Sequence, residues 1–267
     1  MSPVIVTEGD SPVILGQPHG GTHLPDAILA RLNPRGRELA DTDWHITRLY
    51  DGLLEGASVV RATFHRYLID ANRDPGGESL YPGQNTTGLC PTTDFDGQPI
   101  WQPGEEPDQG EIAERRAAYH APYHAALAEQ IERVRARHGV AILYDCHSIR
   151  SEIPFLFEGR LPVFNIGTDN GRTCNAAIAR AAEAVCAKAE GYDHVSNGRF
   201  RGGWTTRHYG RPERGTHAIQ MELAQRAYMS ERAPWDYLPT EADRLRPHLA
   251  RILQSLDHLA RSGALTK

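Results

Sequence analysis

The feature that most constrains this chain is an alternation. Short Val- and Ile-rich runs, each ending in polar or glycine-rich residues, are separated by longer amphipathic stretches. Pro12 to Leu15 leads into Gly16-Gln17-Pro18-His19-Gly20-Gly21, and Ser58 to Phe64 leads through Arg66-Tyr67-Leu68-Ile69 to Asp70-Ala71-Asn72-Arg73. Val140 to Tyr144 precedes Asp145-Cys146-His147-Ser148, Val163 to Ile166 precedes Gly167-Thr168, and His217 to Met221 delivers Glu222. Apolar runs of this kind read as strands buried on both faces. The stretches between them, about Glu38 to Leu54, Glu111 to Arg137, Cys174 to Ala189 and Glu241 to Arg261, carry helical periodicity. The alternation predicts an α/β fold. In open sheets of that class ligands collect at the carboxyl ends of strands, so the polar groups after each run are candidates to meet in one cleft.

With 267 residues, 40% hydrophobic and 24% charged, the chain is long enough to bury a substantial core. We read one domain over 1–267. Residues 74–110 form a long insert rich in Pro, Gly, Thr and Asn, too long for a plain connection. Leu80, Tyr81, Leu89, Phe95, Ile100 and Trp101 give this insert apolar anchors, so it is expected to be an ordered cover rather than a disordered loop. Net charge is −5, from 29 Lys and Arg against 34 Asp and Glu. That balance provides no electrostatic footprint for nucleic acid or anionic lipid. No stretch approaches the ~20 apolar residues of a membrane span, and the first residues lack a signal-peptide pattern, so a cytoplasmic protein is expected. Cys90, Cys146, Cys174 and Cys186 form no CxxC pair, as expected of reduced thiols. The anomaly is thirteen histidines, which makes metal or acid/base chemistry worth seeking.

HExxH, P-loop, GxGxxG and G-x-S-x-G signatures are all absent. What remains is a dispersed set: His19, Asp43, His147 and Glu222. Two neutral imidazoles and a carboxylate with an open fourth position make a catalytic zinc site. His19 has His23 as a neighbouring rival, and either could instead cap the helix starting near Pro25. Asp41 competes with Asp43, and one of them could be a helix N-cap. Asp145 and His147 point the same way along an extended chain, so the aspartate can orient the imidazole. Glu222, following an apolar run, is placed to have the raised pKa a general base needs. Arg66, Arg73, Arg199, Arg201 and Arg207 lie at strand or loop ends amid Gly and aromatic residues, which suggests recognition of an acidic ligand.

At these residues the sequence resembles the N-formylglutamate amidohydrolases of histidine degradation. The segments PHGGTHLP, DTDWH with RLYDGLLEGA, RYLIDANR, LYPGQNTTGLCPTTDFDG, DCHSIRSEIPFLFEG, NGRFRGGWTTRHYG and HAIQMELAQRAYM carry the likeness in order along nearly the whole chain. More distantly the pattern is similar to aspartoacylases and zinc carboxypeptidases, implying a doubly wound mixed sheet of the zinc-exopeptidase kind, flanked by helices. The resemblance implies Zn2+ on His19, Asp43 and His147, and a His/carboxylate donor set also accepts Co2+, Mn2+ or Fe2+ as substitutes. The carboxypeptidase-type first motif has a glutamate three residues after its histidine, but position 22 here is Thr22, so the third ligand is taken from the DTDW stretch. Glu222 is then expected to activate water, and Arg66 or Arg73 to support the oxyanion. Asn72 and Arg73 match a substrate-binding Asn-Arg pair, and Thr87, Asn197, Arg199, Arg201 and Arg207 are expected to add substrate contacts. The implied substrate is N-formyl-L-glutamate. Another N-acyl acidic amino acid, or binding of an acidic metabolite without catalysis, are the alternatives, and oligomeric state is left open.

Overall fold

The computed structural model describes residues 2–79 and 83–265. Seven strands form one mixed sheet: β1 (Val4–Thr7), β2 (Val13–Gln17), β3 (Ser58–Ala62), β4 (Ala141–Ile149), β5 (Phe164–Gly167), β6 (His194–Ser196) and β7 (Thr216–Ala224). Their order is β1-β3-β2-β4-β7-β5-β6. The central four, β3, β2, β4 and β7, run parallel, while β1 and β5 are antiparallel to their inner neighbours. The helices are α1 (Asp26–Arg31), α2 (Ile46–Tyr50), α3 (Gln109–Arg115), α4 (Ala121–His138), α5 (Ala176–Cys186), α6 (Trp204–Tyr209) and α7 (Pro239–Arg261). A π-turn over Arg116–His120 joins α3 to α4.

The strand periodicity of two sorts the core. Ile142, Tyr144 and Cys146 of β4 and Ile219, Met221 and Leu223 of β7 pack with α2, α5 and α7. Ala141 and Leu143, with Ala218, pack on the other face with α1 and α4. The α/β class and the doubly wound mixed sheet are therefore as expected. Because β4 and β7 are covered on both faces, all nine residues of each are buried.

Several boundaries differ from the expectation. β4 and β7 do not stop before their polar residues: they stay in register from Ala141↔Thr216 to Ile149↔Ala224, with His147 opposite Glu222. Polar side chains do not end a strand when the sheet face provides them partners, so His147 and Glu222 are strand residues rather than strand-end ones. The helix expected over 38–54 shrinks to α2, entered through His45 in the left-handed region at φ 60°. The residues ahead of it are held in irregular backbone because Asp41 and Asp43 are bound by Tyr67, Phe95 and Arg66. Of the apolar anchors of the 74–110 insert, Leu89, Phe95, Ile100 and Trp101 are buried, and Trp101 Nε1 donates to Pro91 O. Leu80 and Tyr81 lie outside the described residues.

Candidate active site

Past β2 the chain turns at Gly20 and Gly21. A Cβ on Gly21 would lie 2.4 Å from the carbonyl carbon of Thr63, and one on Gly20 would lie 2.9 Å from Ile46 Cγ2. These glycines let the turn pack against the backbone that follows β3 and against α2, and so seat His19 inward. Asp43 reaches the same point from the loop before α2, where Asp43 N donates to His19 O. His147 arrives from β4.

Three atoms converge there. His19 Nδ1 and His147 Nδ1 are 3.2 Å apart, and Asp43 Oδ2 lies 3.8 Å from the first and 3.3 Å from the second. The far side of each ring meets an acid: His19 Nε2 is 2.6 Å from Asp70 Oδ1, and His147 Nε2 is 3.1 Å from Asp145 Oδ1 and 3.2 Å from Asn72 Nδ2. Asp145 is fixed in turn by Thr206 Oγ1 at 2.9 Å, and Asp43 by Arg66 Nη2 at 2.5 Å and Ser148 N at 3.1 Å. When neither Nδ1 carries a proton, these two nitrogens and Asp43 Oδ2 present three lone pairs to one another. A cation shared by the three relieves that arrangement, as does a proton on one Nδ1. A tetrahedral ion with ligand bonds of ~2.0–2.1 Å holds its ligands roughly 3.3–3.4 Å apart, close to the spacings here. The carboxylate behind each imidazole is the usual outer support of a metal-binding histidine. His19, Asp43 and His147 therefore fit a divalent ion.

The electrostatics agree. Burial pulls the His147 imidazole down, but Asp145, Asp43 and Glu222 outweigh it and hold its pKa well above the usual value. Burial pushes the Asp70 carboxyl up, but Arg73, His19 and Arg66 hold it well below the usual range. Carboxylates thus favour positive charge on His147, while Asp70 is already balanced by its cationic neighbours. Glu222, opposite His147 and 7% exposed, has its carboxyl raised to about 8, chiefly by burial. Gln220 donates from Nε2 to Glu222 Oε2 at 3.1 Å and accepts from Gly203 N at 2.6 Å, which fixes the carboxyl's orientation.

A cavity of about 270 Å³ opens on this centre, and His19, Arg66, Asn72, Arg73, Thr87, His147, Arg199 and Glu222 line it. Arg66 lies over the Phe95 ring at 4.9 Å, and Arg73 donates to Thr87 O and Thr87 Oγ1. Arg199 donates to Leu156 O and Asn85 O at the rim. Asn197, Arg201 and Arg207 are not among the lining residues. Asn197, at φ 52°, ties its own loop to Thr168 and Asn170. Arg201 is exposed and donates to Gly198 O, and Arg207 donates to Gly202 O beside Asp169. His23 and Asp41 stand outside the donor triangle. His23 bridges to Phe64 through its backbone, and Asp41 accepts from Tyr67 Oη and Phe95 N. Neither histidine caps α1, which has no side-chain cap. Asp70, Ser148 and Gln220 were missed. The one signal for Asp70 was its place two residues before Asn72-Arg73.

A model of the N-formylglutamate amidohydrolase family matches residues 11–229. This chain belongs to that family. It is 49% identical over 249 residues to the N-formylglutamate deformylase of Pseudomonas aeruginosa, and 45% identical over 250 residues to that of Pseudomonas putida, covering 93% of each chain in both cases. The fold is shared with a crystal structure of the N-formylglutamate amidohydrolase of Ralstonia eutropha JMP134, at TM-score 0.81 and 24% identity over 98% of this chain and 100% of that one. A second solved structure, the Atu2144 product of Agrobacterium tumefaciens, superposes at TM-score 0.73 and 20% identity, covering 97% of this chain and 96% of that one. Among the described residues, no helix is long and apolar enough to cross a membrane.

Proposed function

We propose that this chain hydrolyses the formamide of N-formyl-L-glutamate to formate and L-glutamate, as a metal-dependent step of histidine degradation in the cytoplasm. The observation that carries the reading is the donor triangle of His19, Asp43 and His147, whose two histidines line a cavity together with Glu222, Arg66, Arg73 and Arg199. The names of the close relatives support the substrate.

His19, Asp43 and His147 would hold the ion, zinc by preference for this donor set, with cobalt, manganese or iron as substitutes. Such an ion supplies Lewis acidity toward a carbonyl oxygen and lowers the pKa of water. Glu222 takes the proton of the attacking water and later delivers it to the departing nitrogen as the C–N bond breaks. Arg66, locked to Asp43, is a fixed positive group beside the oxygen where charge develops. Arg73, Asn72 and Thr87 on one side and Arg199 on the other grip the substrate carboxylates and hold the amide in attacking geometry.

The decisive experiment follows formate release from N-formyl-L-glutamate by metal-replete protein, before and after chelation, beside N-acetyl-L-glutamate, a glutamyl peptide and N-acetyl-L-aspartate. Turnover that favours the formyl substrate, disappears on chelation and returns with metal is the expected result. A preference for N-acetylaspartate would overturn the substrate, and tight binding without turnover or metal would overturn the reaction.

A further inference from the structure

Most of the thirteen histidines have no part in the donor triangle, and two of them lie directly behind the substrate-facing loop. His124 Nε2 is 2.7 Å from Ala71 O, and His120 Nε2 is 3.1 Å from Arg73 O. A carbonyl only accepts, so both rings present Nε2–H, one to each side of Asn72. The two residues are four apart, their ring centroids 4.4 Å from each other, across the junction of the π-turn and α4. Pro122 offers no amide proton to the preceding turn, and a widened π-turn there re-aims side chains in the way such turns do near functional sites. From the opposite side α6 completes the grip: Thr205 N donates to Asn72 Oδ1 at 2.8 Å, and Trp204 Nε1 to Asp74 Oδ2 at 3.0 Å. Four consecutive residues, 71 to 74, are thus each held by α4, by the π-turn leading into it, or by α6. Burial keeps both rings neutral, lowering the His124 imidazole to about 3. Each remains a fixed donor.

We infer that His120 and His124 are positioning residues, which set the Asn72–Arg73 pair at the height where Asn72 meets His147 and Arg73 meets substrate. The inference rests on the proposed function for its kinetic readout. Neither ring lines the cavity, so they act through the backbone of the loop.

The test compares His124→Ala and His124→Gln, the second retaining a side-chain N–H donor, with His120→Ala as the variant to use should the first not fold. For His124→Ala we expect KM to rise roughly tenfold with kcat within about threefold of the parent, the order of one lost hydrogen bond. Metal affinity should be unchanged, and hydrogen–deuterium exchange should quicken in residues 70–75 alone. The Gln variant should recover most of both effects. Parent-like KM and exchange in folded His124→Ala would overturn the inference, as would equal losses in Ala and Gln variants that track a lowered melting temperature. Exchange requires no substrate, so failure of the parent to release formate counts against the proposed reaction and leaves the positioning role to be judged separately.

Discussion

The two halves of the site are built differently. The strand half, Asp145 and His147 on β4 with Gln220 and Glu222 on β7, is delivered by two nine-residue strands in unbroken register. Alternation puts each pair on one face, and the register puts both pairs on the same one. The loop half, Asp43, Arg66, Asp70, Arg73, Thr87 and Arg199, comes from segments with no regular repeat, and it is held by side chains: Arg66 to Asp43, Asp70 to His19, Arg73 to Thr87. The strand half gains its precision from a backbone ladder, which tolerates the loss of one side chain. The loop half has as its frame the same charged groups that face the ligand, so changing one disturbs its neighbours.

The largest effect should come from the strand half. Glu222→Gln is isosteric and keeps the Gln220 contact region filled, so we expect kcat to fall by about 10²–10⁴-fold, the range of a general acid–base group, while metal analysis still finds a full complement. Retention of near-parent kcat would remove the proton-transfer role. A direct comparison of the halves follows. Asp145→Asn and Asp70→Asn alter the carboxylate behind each histidine, and each should weaken metal binding roughly 10–100-fold in chelator competition. If Asp70→Asn also slackens Arg73, seen as raised KM, while Asp145→Asn leaves KM alone, the contrast between frame and loops is sharpened. Identical behaviour of the two would break it.

The third effect tests the strand frame itself. His217, buried on β7, accepts from Asn175 N, and burial lowers its imidazole to about 4, below the ~6.5 of a free one. Between those values the unfolded chain binds a proton that the folded chain refuses. This contribution is fully present above pH ~6.5 and is lost as pH falls, by about 2 kcal/mol from pH 7 to 5. Urea denaturation at several pH values should show a shallower decline for His217→Asn than for the parent, and parallel slopes would refute the assignment. The smallest effect belongs to the rim. Arg199→Ala should raise KM up to about tenfold with little change in kcat or in metal content, because the Leu156 and Asn85 carbonyls it donates to belong to loops and not to the donor triangle. A collapse of kcat would show that the rim reaches the reacting atoms.

The strand half was the more legible in advance. An apolar run carrying Asp-x-His sets the facing of both residues by the period of the extended chain, and the 3.1 Å contact between Asp145 and His147 is that geometry realised. Glu222 was singled out because an acid in an apolar run is unusual, although its pairing with His147 across the ladder needed the register. The loop half was legible only as chemistry. Five arginines looked alike in sequence, yet Arg66, Arg73 and Arg199 line the cavity while Arg201 and Arg207 bind backbone elsewhere. For Asp70 the sequence offers only its place two residues before Asn72-Arg73, and nothing there predicts contact with a histidine fifty-one residues away.

By itself the sequence determined the alternation of buried strands and amphipathic helices, the residue types able to bind a cation and an acidic ligand, and, through ordered motifs, the family. Tertiary structure alone decided that Asp43 rather than Asp41 or His23 completes the triangle with His19 and His147, and that surplus histidines brace a loop from behind. The reason is physical: period and composition are local properties of a chain, whereas a shared point between side chains is set by register, crossing geometry and the partners that hold irregular backbone in place.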